Sequence, residues 1–564
     1  MPSLARKCSS RHHVAPLTTW RLWRARGPGR KAQGLAVIPP WRTPARSALL
    51  TTCLLFACAR PPPPPDTLRL AIASPPEALD PRFATSAVAM RLSALVAPPL
   101  VTIGEDLRPS PLLAERIEQT SPRSWLVTLR AGLLFHDGAP VTADDVVWTF
   151  HSMKDPATGS PHRGKLAHLE RVVAVDALTV RFELDAPWAP FLVDCNAYGI
   201  LSKRSCAASP EACRHAPIGA GPFRVQHPLD DNETLTLTAA HKDTAIAAIE
   251  VKVSRDPTTR LLELMDERID LVAGDLSPSD LLSLANQREL VLESAPGLGF
   301  SYLAFNVRGP RLNDDDEQVR TARALTDPRV RRALALALDI DTVIEHKLRG
   351  RARRASGMIP DGHWAKPDAA LEPLIPYDPA RARTLLDEAG LTPRDQHGGG
   401  RFRLVLATTT DRTRKSIALI FAEAWRAIGV DVELKVQDWA ALYEDIQAGS
   451  FHAFSAKWTP VLEPDLMSWV FSSDNIPAKG KAGGNRGGFV DAELDGWLAA
   501  AQASSDVSQR RALYAQAAAR VASALPVVPL WFEDELIVRH KRLTGFALAR
   551  TGALLPLAQA RLAK

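Results

Sequence analysis

The chain of 564 residues holds six cysteines and 14 histidines, yet no spacing among them builds a catalytic or metal centre. There is no His-Glu-x-x-His to put two zinc ligands on one helical face, and no Gly-x-Ser-x-Gly turn to expose a serine nucleophile. Gly480-Lys481 lacks the preceding glycine and the following Ser or Thr that would cradle a nucleotide's phosphates and metal. Gly219 and Gly221 lack a third glycine, and Phe223-Arg224 continue a strand, so no dinucleotide-binding turn is formed. His162 and His168 are six apart, which does not bring two ligands onto one helical face. Each is expected to be hydrogen-bonded or solvent-facing. Asp144-Asp145 and Asp314-Asp315-Asp316 read as helix-start and turn residues rather than an acid-base pair. No Cys-x-x-Cys occurs, and Cys195, Cys206 and Cys213 allow at most one disulfide within the body of the chain. These residues predict no catalysis, no metal and no cofactor.

One covalent chemistry is written near the N-terminus. Arg42 and Arg46 precede an apolar stretch that ends in Leu55-Phe56-Ala57-Cys58, and five prolines, Pro61 to Pro65, follow. Basic residues, a short apolar run and a small residue before the cut mark a secretory signal. Leu-x-Ala-Cys resembles the bacterial lipobox, in which the Cys becomes a lipidated first residue. An extended polyproline segment would then hold a folded body off the membrane. Residues 1–57 are expected to be a signal peptide, 58–65 a lipidated Cys58 with a proline linker. Residues 1–36 make the basic region over-long, and translation from Val37 is the expectation that would shorten it.

Composition narrows the class of the remainder. Hydrophobic residues make up 46% and charged residues 23%, as in a soluble globular protein. The net charge of +6 arises from the leader, where residues 1–57 carry ten Lys or Arg and no acid. The rest has 59 basic and 63 acidic residues, which removes the main support for a nucleic-acid partner.

The elements that must carry any site alternate between strand and helix. Leu68–Ala73 and Trp125–Arg130 read as strands, and Asp137-Gly138 as a turn. Thr142 and Asp145 sit at near capping-box spacing ahead of Val146, Val147 and Phe150. Residues 172–184 read as a hairpin, and Tyr302–Asn306 as a strand. Asp327-Pro328 and Asp378-Pro379 each start a helix, the second ending at Gly390. Strand, helix and strand follow at Phe402–Leu406, Ser416–Ile428 and Val430–Leu434, and 491–525 reads as helical. This alternation implies α/β layers.

The stretch Leu129-Arg130-Ala131-Gly132-Leu133-Leu134-Phe135-His136-Asp137-Gly138-Ala139-Pro140-Val141-Thr142-Ala143-Asp144-Asp145-Val146 resembles the signature of the family 5 extracellular solute-binding proteins of ABC importers, the dipeptide, oligopeptide and nickel type. Ala78-Leu79-Asp80-Pro81, residues 217–223, 327–334, 377–390 and 525–530 match in order. The resemblance implies two α/β lobes of periplasmic-binding-protein type that close on a ligand, with an extra subdomain inserted in lobe one. It implies lobe one at 66–105, 216–298 and 520–564, the inserted subdomain at 106–215, and lobe two at 299–519. It implies an extracytoplasmic monomer, held to the membrane by its lipid, that captures a peptide or related solute for a permease and ATPase complex. A receptor that signals or scavenges is the alternative, and a hydrolase on this scaffold a remote one.

Peptide-binding members carry Trp-x-x-Asp-Tyr-x-x-Pro in the cleft, the Asp taking the ligand's ammonium. The matching stretch runs from Trp458 to Asp465, with Val461 in place of the Asp, Leu462 in place of the Tyr, and Pro464 one residue early. Valine cannot balance a buried ammonium, so the resemblance shifts towards a blocked or modified peptide or another organic solute, unless Glu463 or Asp465 substitutes. Asn485 matches a ligand-facing Asn of the family, and Arg486 beside it suits an anionic ligand. Trp439 receives no role.

Overall fold

A computed structural model of the chain describes residues 64–274, 276, 281, 284, 287–310, 315–393, 400–458 and 460–563. The chain divides into two units at Pro62, and only the second is described here. The expected signal peptide, the alternative start at Val37, and Cys58 lie outside the described residues, as do Asp314 and Thr459.

Two long antiparallel strands, Leu290–Phe305 and Val527–His540, run side by side through the molecule. Beside the first lie the strands Ala453–Trp458, Arg403–Thr409 and Asp431–Gln437. Beside the second lie Leu271–Ala273, Thr67–Ile72, Ala248–Val253, Thr234–Ala239 and Phe223–His227. The result is two lobes on one mixed sheet of eleven described strands, with Ala352–Arg354 pairing to Val527–His540 off the main path.

The ladder between the two long strands is interrupted. Pairing runs from Leu290↔His540 to Ala295↔Glu535, skips Pro296 to Leu298, and resumes at Gly299↔Glu533. A second irregularity follows between Ser301↔Trp531 and Tyr302↔Pro529. Extra residues on one strand bend it and sharpen its twist. A proline, which has no N–H to give a ladder, fits where the register shifts. Gly297 is required at the first bulge, since a Cβ there would meet the Glu533 carbonyl oxygen at 2.2 Å. Pro296-Gly297 reads locally as a chain break, which is why Tyr302–Asn306 alone was legible as strand. The stretch 491–525 differs too. It forms two helices, Ala492–Ala503 and Val507–Ala524, because Asp506 caps a second start by accepting from the N–H groups of Ser508 and Gln509.

Each lobe has its own core. In lobe one Leu70, Leu92, Phe223, Leu237 and Val251 pack together. In lobe two Trp425, Leu404 and Leu334 fill one face of the sheet, and Phe300, Tyr302, Phe454 and Tyr514 the other. A four-stranded antiparallel sheet, ordered Ala114–Ser121, Ser124–Leu129, Thr179–Leu184 and Leu169–Ala174, carries the helix Ala143–Lys154. Phe150 packs edge-on to Phe182 at 5.0 Å inside this subdomain.

The signature stretch fastens the subdomain to lobe one. The His136 N–H donates to the Gly219 carbonyl at 2.9 Å, and its ring Nε2 lies 3.0 Å from the Gly221 carbonyl. Side chains at Gly219 and Gly221 would strike the carbonyls of Val96 and Leu95, each at 2.2 Å. Close backbone approach, not phosphate binding, accounts for that glycine pair. Asp145 accepts from the N–H and hydroxyl of Thr142 and from the Lys203 N–H. Cys206 and Cys213 are disulfide-bonded, and Cys195 is a buried free thiol.

Candidate functional site

Three parallel strands of lobe two, Arg403–Thr409, Asp431–Gln437 and Ala453–Trp458, end along one edge. In open α/β sheets ligands bind beyond the carboxyl ends of such strands. Trp458 is the last residue of its strand and pairs with Phe300, just past the bulge at Pro296 to Leu298. Arg486, on the loop before Ala492–Ala503, meets it there.

Trp458 and Tyr302 lie parallel, with centroids 6.1 Å apart and planes 7° apart. The Arg486 guanidinium sits 4.5 Å from the Trp458 ring centre and 5.6 Å from that of Tyr443. Its Nη1 donates to the Tyr302 hydroxyl at 3.2 Å. Burial pushes the Tyr302 phenol up to about 12, against the pull of Arg486 and Arg414. The Nε of Arg486 and the Nε1 of Trp458 are shielded from solvent and have no acceptor among the described residues. Both are donors, so what this spot lacks is an acceptor.

Asn485 faces inward and is 2% exposed. Its Nδ2 donates to the carbonyls of Phe471, Ser472 and Phe489, and its Oδ1 accepts from the Phe489 N–H. Asn485 therefore shapes the loop that presents Arg486. Val461 is 1% exposed and belongs to the lobe-two core. Its N–H donates to the Leu298 carbonyl at 2.9 Å and ties the Trp458–Asp465 loop to the bulge.

Glu463 is ion-paired with Arg510. Arg510 also donates to the Ala501 carbonyl and lies over the rings of Trp364 and Tyr514. Burial pushes Glu463 up to about 7, against Arg510 and with the repulsion of Asp465. Burial raises Asp465 as well. The inserted subdomain adds Asp194, which burial pushes up to about 6 despite a bond from the Trp188 indole N–H at 2.8 Å. The three carboxyls gather where the Ala189 N–H donates to the Gln502 carbonyl. Burial raises all three, with mutual repulsion adding at Asp194 and Glu463, while Arg510 pairs with Glu463.

Nearer the bulge, Lys457 and Glu533 pair at 2.6 Å, and Ser301 donates to Glu533 at 2.9 Å. Although burial opposes it, the Lys457 charge holds Glu533 below the usual carboxylate range. Trp439 is exposed and lies tilted against Tyr443, with ring centroids 5.7 Å apart. His162 is buried, its Nε2 lying 2.8 Å from the Ala84 carbonyl. No group of three or more metal-ligating side chains is found among the described residues.

Of the residues singled out by sequence, Trp458 and Arg486 come together at the strand edge. Glu463 lies in the carboxylate cluster, and Val461 and Asn485 serve the core and the loop. Tyr302, Arg510, Asp194 and Lys457 were missed. Tyr302 meets Arg486, Arg510 meets Glu463 and Lys457 meets Glu533 across 47 to 184 residues, and no local motif marks these pairs.

The profile of the bacterial extracellular solute-binding proteins, family 5 middle, matches residues 108–477. A di/tripeptide-binding protein 2 of Pseudomonas aeruginosa is 26% identical over 550 residues, covering 90% of this chain and 98% of that protein. A heme-binding protein A of Haemophilus influenzae is 27% identical over 475 residues, covering 78% of this chain and 82% of that protein. The structure of HbpA2 from Haemophilus parasuis superposes with a TM-score of 0.75 at 25% identity, covering 88% of this chain and all of that one.

Proposed function

The chain belongs to the bacterial extracellular solute-binding proteins of family 5, and on that premise we propose that it is the substrate-binding component of an ABC importer. It captures a small organic solute between its lobes and delivers it to a membrane permease and its ATPase. The observation that carries this reading is the pair of long strands joining the lobes, bulged at Pro296 to Leu298 beside Trp458. A sheet that narrows to two irregular strands between two separate cores is built to bend there. We draw the return to lobe one at Asp534 rather than at 520. Val528, Leu530 and Phe532 still pack in the lobe-two cores.

The relatives named above bind di- and tripeptides or heme by their descriptions, so the family frame alone fixes no ligand. Val461 offers no charge to a ligand's ammonium, and Glu463 already holds Arg510. A solute with a blocked or absent amino group fits this chain better than a free peptide. Purifying the protein without refolding and identifying the solute released on denaturation tests the reading. A defined small solute is the expected result. An empty protein that no peptide or peptide derivative stabilises against heat would defeat it.

The protein acts outside the cytoplasm, as a monomer tethered through a lipid on Cys58. The basic residues, apolar run and Leu-x-Ala-Cys before the proline run support this tether. Mass spectrometry of the mature N-terminal peptide is expected to find an acylated Cys58. Cys58→Ala is expected to leave the precursor uncleaved, and a mature N-terminus elsewhere would rule the lipid anchor out.

A further inference from the structure

Arg486 is a cation without a counter-ion among the described residues, and its side chain donates to the neutral Tyr302 hydroxyl. Its plane is nonetheless fixed. Trp458 and Tyr443 both lie against the guanidinium, the Arg486 N–H donates to the Gly484 carbonyl at 2.9 Å, and Arg308 donates to the Arg486 carbonyl at 3.2 Å. Nη1 is committed to Tyr302, which leaves the edge formed by Nε and Nη2. That edge is one of the forks that grips a carboxylate through two parallel hydrogen bonds. Among the described residues Nε has no acceptor, and neither does Nε1 of Trp458, whose ring lies under the same guanidinium.

A shielded donor without an acceptor destabilises the fold, and more so when it carries charge. Two such donors and one unpaired positive charge, held together by packing, share one remedy. A single anionic acceptor entering beside Trp458 satisfies all three. The neighbouring charges do not supply it, since Lys457 takes Glu533, and Arg510 takes Glu463. Arg414 adds a second positive charge acting on Tyr302.

We propose that the Nε–Nη2 edge of Arg486 receives a carboxylate of the captured solute, with the Trp458 indole N–H as an additional donor. This rests on the reading of the protein as a solute receptor and adds the chemical class of its ligand. Tyr302 and Tyr443 hold the guanidinium in position, and Asn485 holds the loop. The solute is thereby an organic acid, recognised at its acidic end, and the missing carboxylate at Val461 leaves its other end without an ionic partner.

The probes are N-acetylated dipeptides with a free carboxylate and the same dipeptides as C-terminal amides. Both sets are screened by thermal shift and the hits measured by calorimetry. The acids are expected to bind at least about tenfold tighter than their amides, as fits a charge-assisted bidentate contact. Arg486→Gln is expected to erase that preference, so that acids and amides bind alike. Arg486→Lys keeps the charge but loses the fork, and is expected to recover only part of the preference. Should Arg486→Gln fail to fold, Arg486→Lys alone decides. Equal binding of acids and amides by the wild type, or a preference that survives at position 486, overturns the proposal while leaving the receptor reading in place. Failure of every acid, amide and unmodified peptide to bind, with no solute released on denaturation, overturns both.

Discussion

Asn485 and Arg486 are neighbours whose side chains have opposite fates. The amide of Asn485 makes three donor contacts to carbonyls and accepts one N–H, all within its own lobe. The guanidinium of Arg486 is left with an open edge. A buried polar side chain with every position filled has nothing left for a ligand, whereas one held rigid with donors unfilled is prepared for one. Asn485→Ala removes the amide and strands the carbonyls it served. The expected cost is about 2–4 kcal/mol, since each buried hydrogen bond contributes about 1 kcal/mol and unsatisfied groups add more. Calorimetry should record a melting temperature lower by several degrees and a weaker Arg486-dependent acid preference, because the loop no longer presents Arg486. An unchanged melting temperature would show that the amide is dispensable.

At the scale of elements, what was legible in the sequence is what is decided locally. Thr142 and Asp145, Asp327-Pro328 and Asp378-Pro379 start helices where expected, because a cap needs only its next three residues. Gly390 and Gly429 end helices with positive φ for the same reason. The stretch that carries the family resemblance turns out to fasten the subdomain to lobe one through His136, while Asp137 and Asp145 hold Ser205 and Lys203 within the subdomain. It identified the fold without touching the strand-edge site. The long strands were not legible, since Leu290 to Ala295 pair with residues about 240 positions away across a Pro-Gly step that reads as a stop. The site was half legible for the same reason. Trp458 and Arg486 lie in stretches with a family pattern, whereas Tyr302 reaches Arg486 only once the sheet has formed. Val461 could be recognised as a missing charge, but not as a core residue, because burial is decided by Phe300 and Met467 elsewhere in the chain.

Across the whole molecule, the contact between the inserted subdomain and lobe two gathers like charges. Asp194 comes from the inserted subdomain, and Glu463 and Asp465 from lobe two. Lys165 and His168 act on Asp194 from the subdomain side, and Arg510 lies on the other. Burial moves Asp194 from 3.8 to about 6 and Glu463 from 4.5 to about 7. A carboxyl with a raised folded-state pKa contributes its full stability below its unfolded pKa and loses it as pH rises through the folded one. The loss here spans about pH 4 to 7 by those values. His363 works the other way, since burial lowers it to about 4 and it destabilises the fold as pH falls below its unfolded value of 6.5. The pH profile of the wild type is therefore a balance of opposing groups, and a single substitution separates them. Asp194→Asn keeps an acceptor for the Trp188 indole N–H and removes the titration. At pH 8 the variant is expected to be more stable than the wild type by about 2 kcal/mol, at 1.4 kcal/mol per pKa unit and allowing for partial exposure. Below the unfolded value of 3.8, where the carboxyl is protonated in both states, the two should melt alike. Parallel melts at both pH values decide the matter. A constant difference would mean that Asp194 does not titrate in this window and that this contact carries no charge cost.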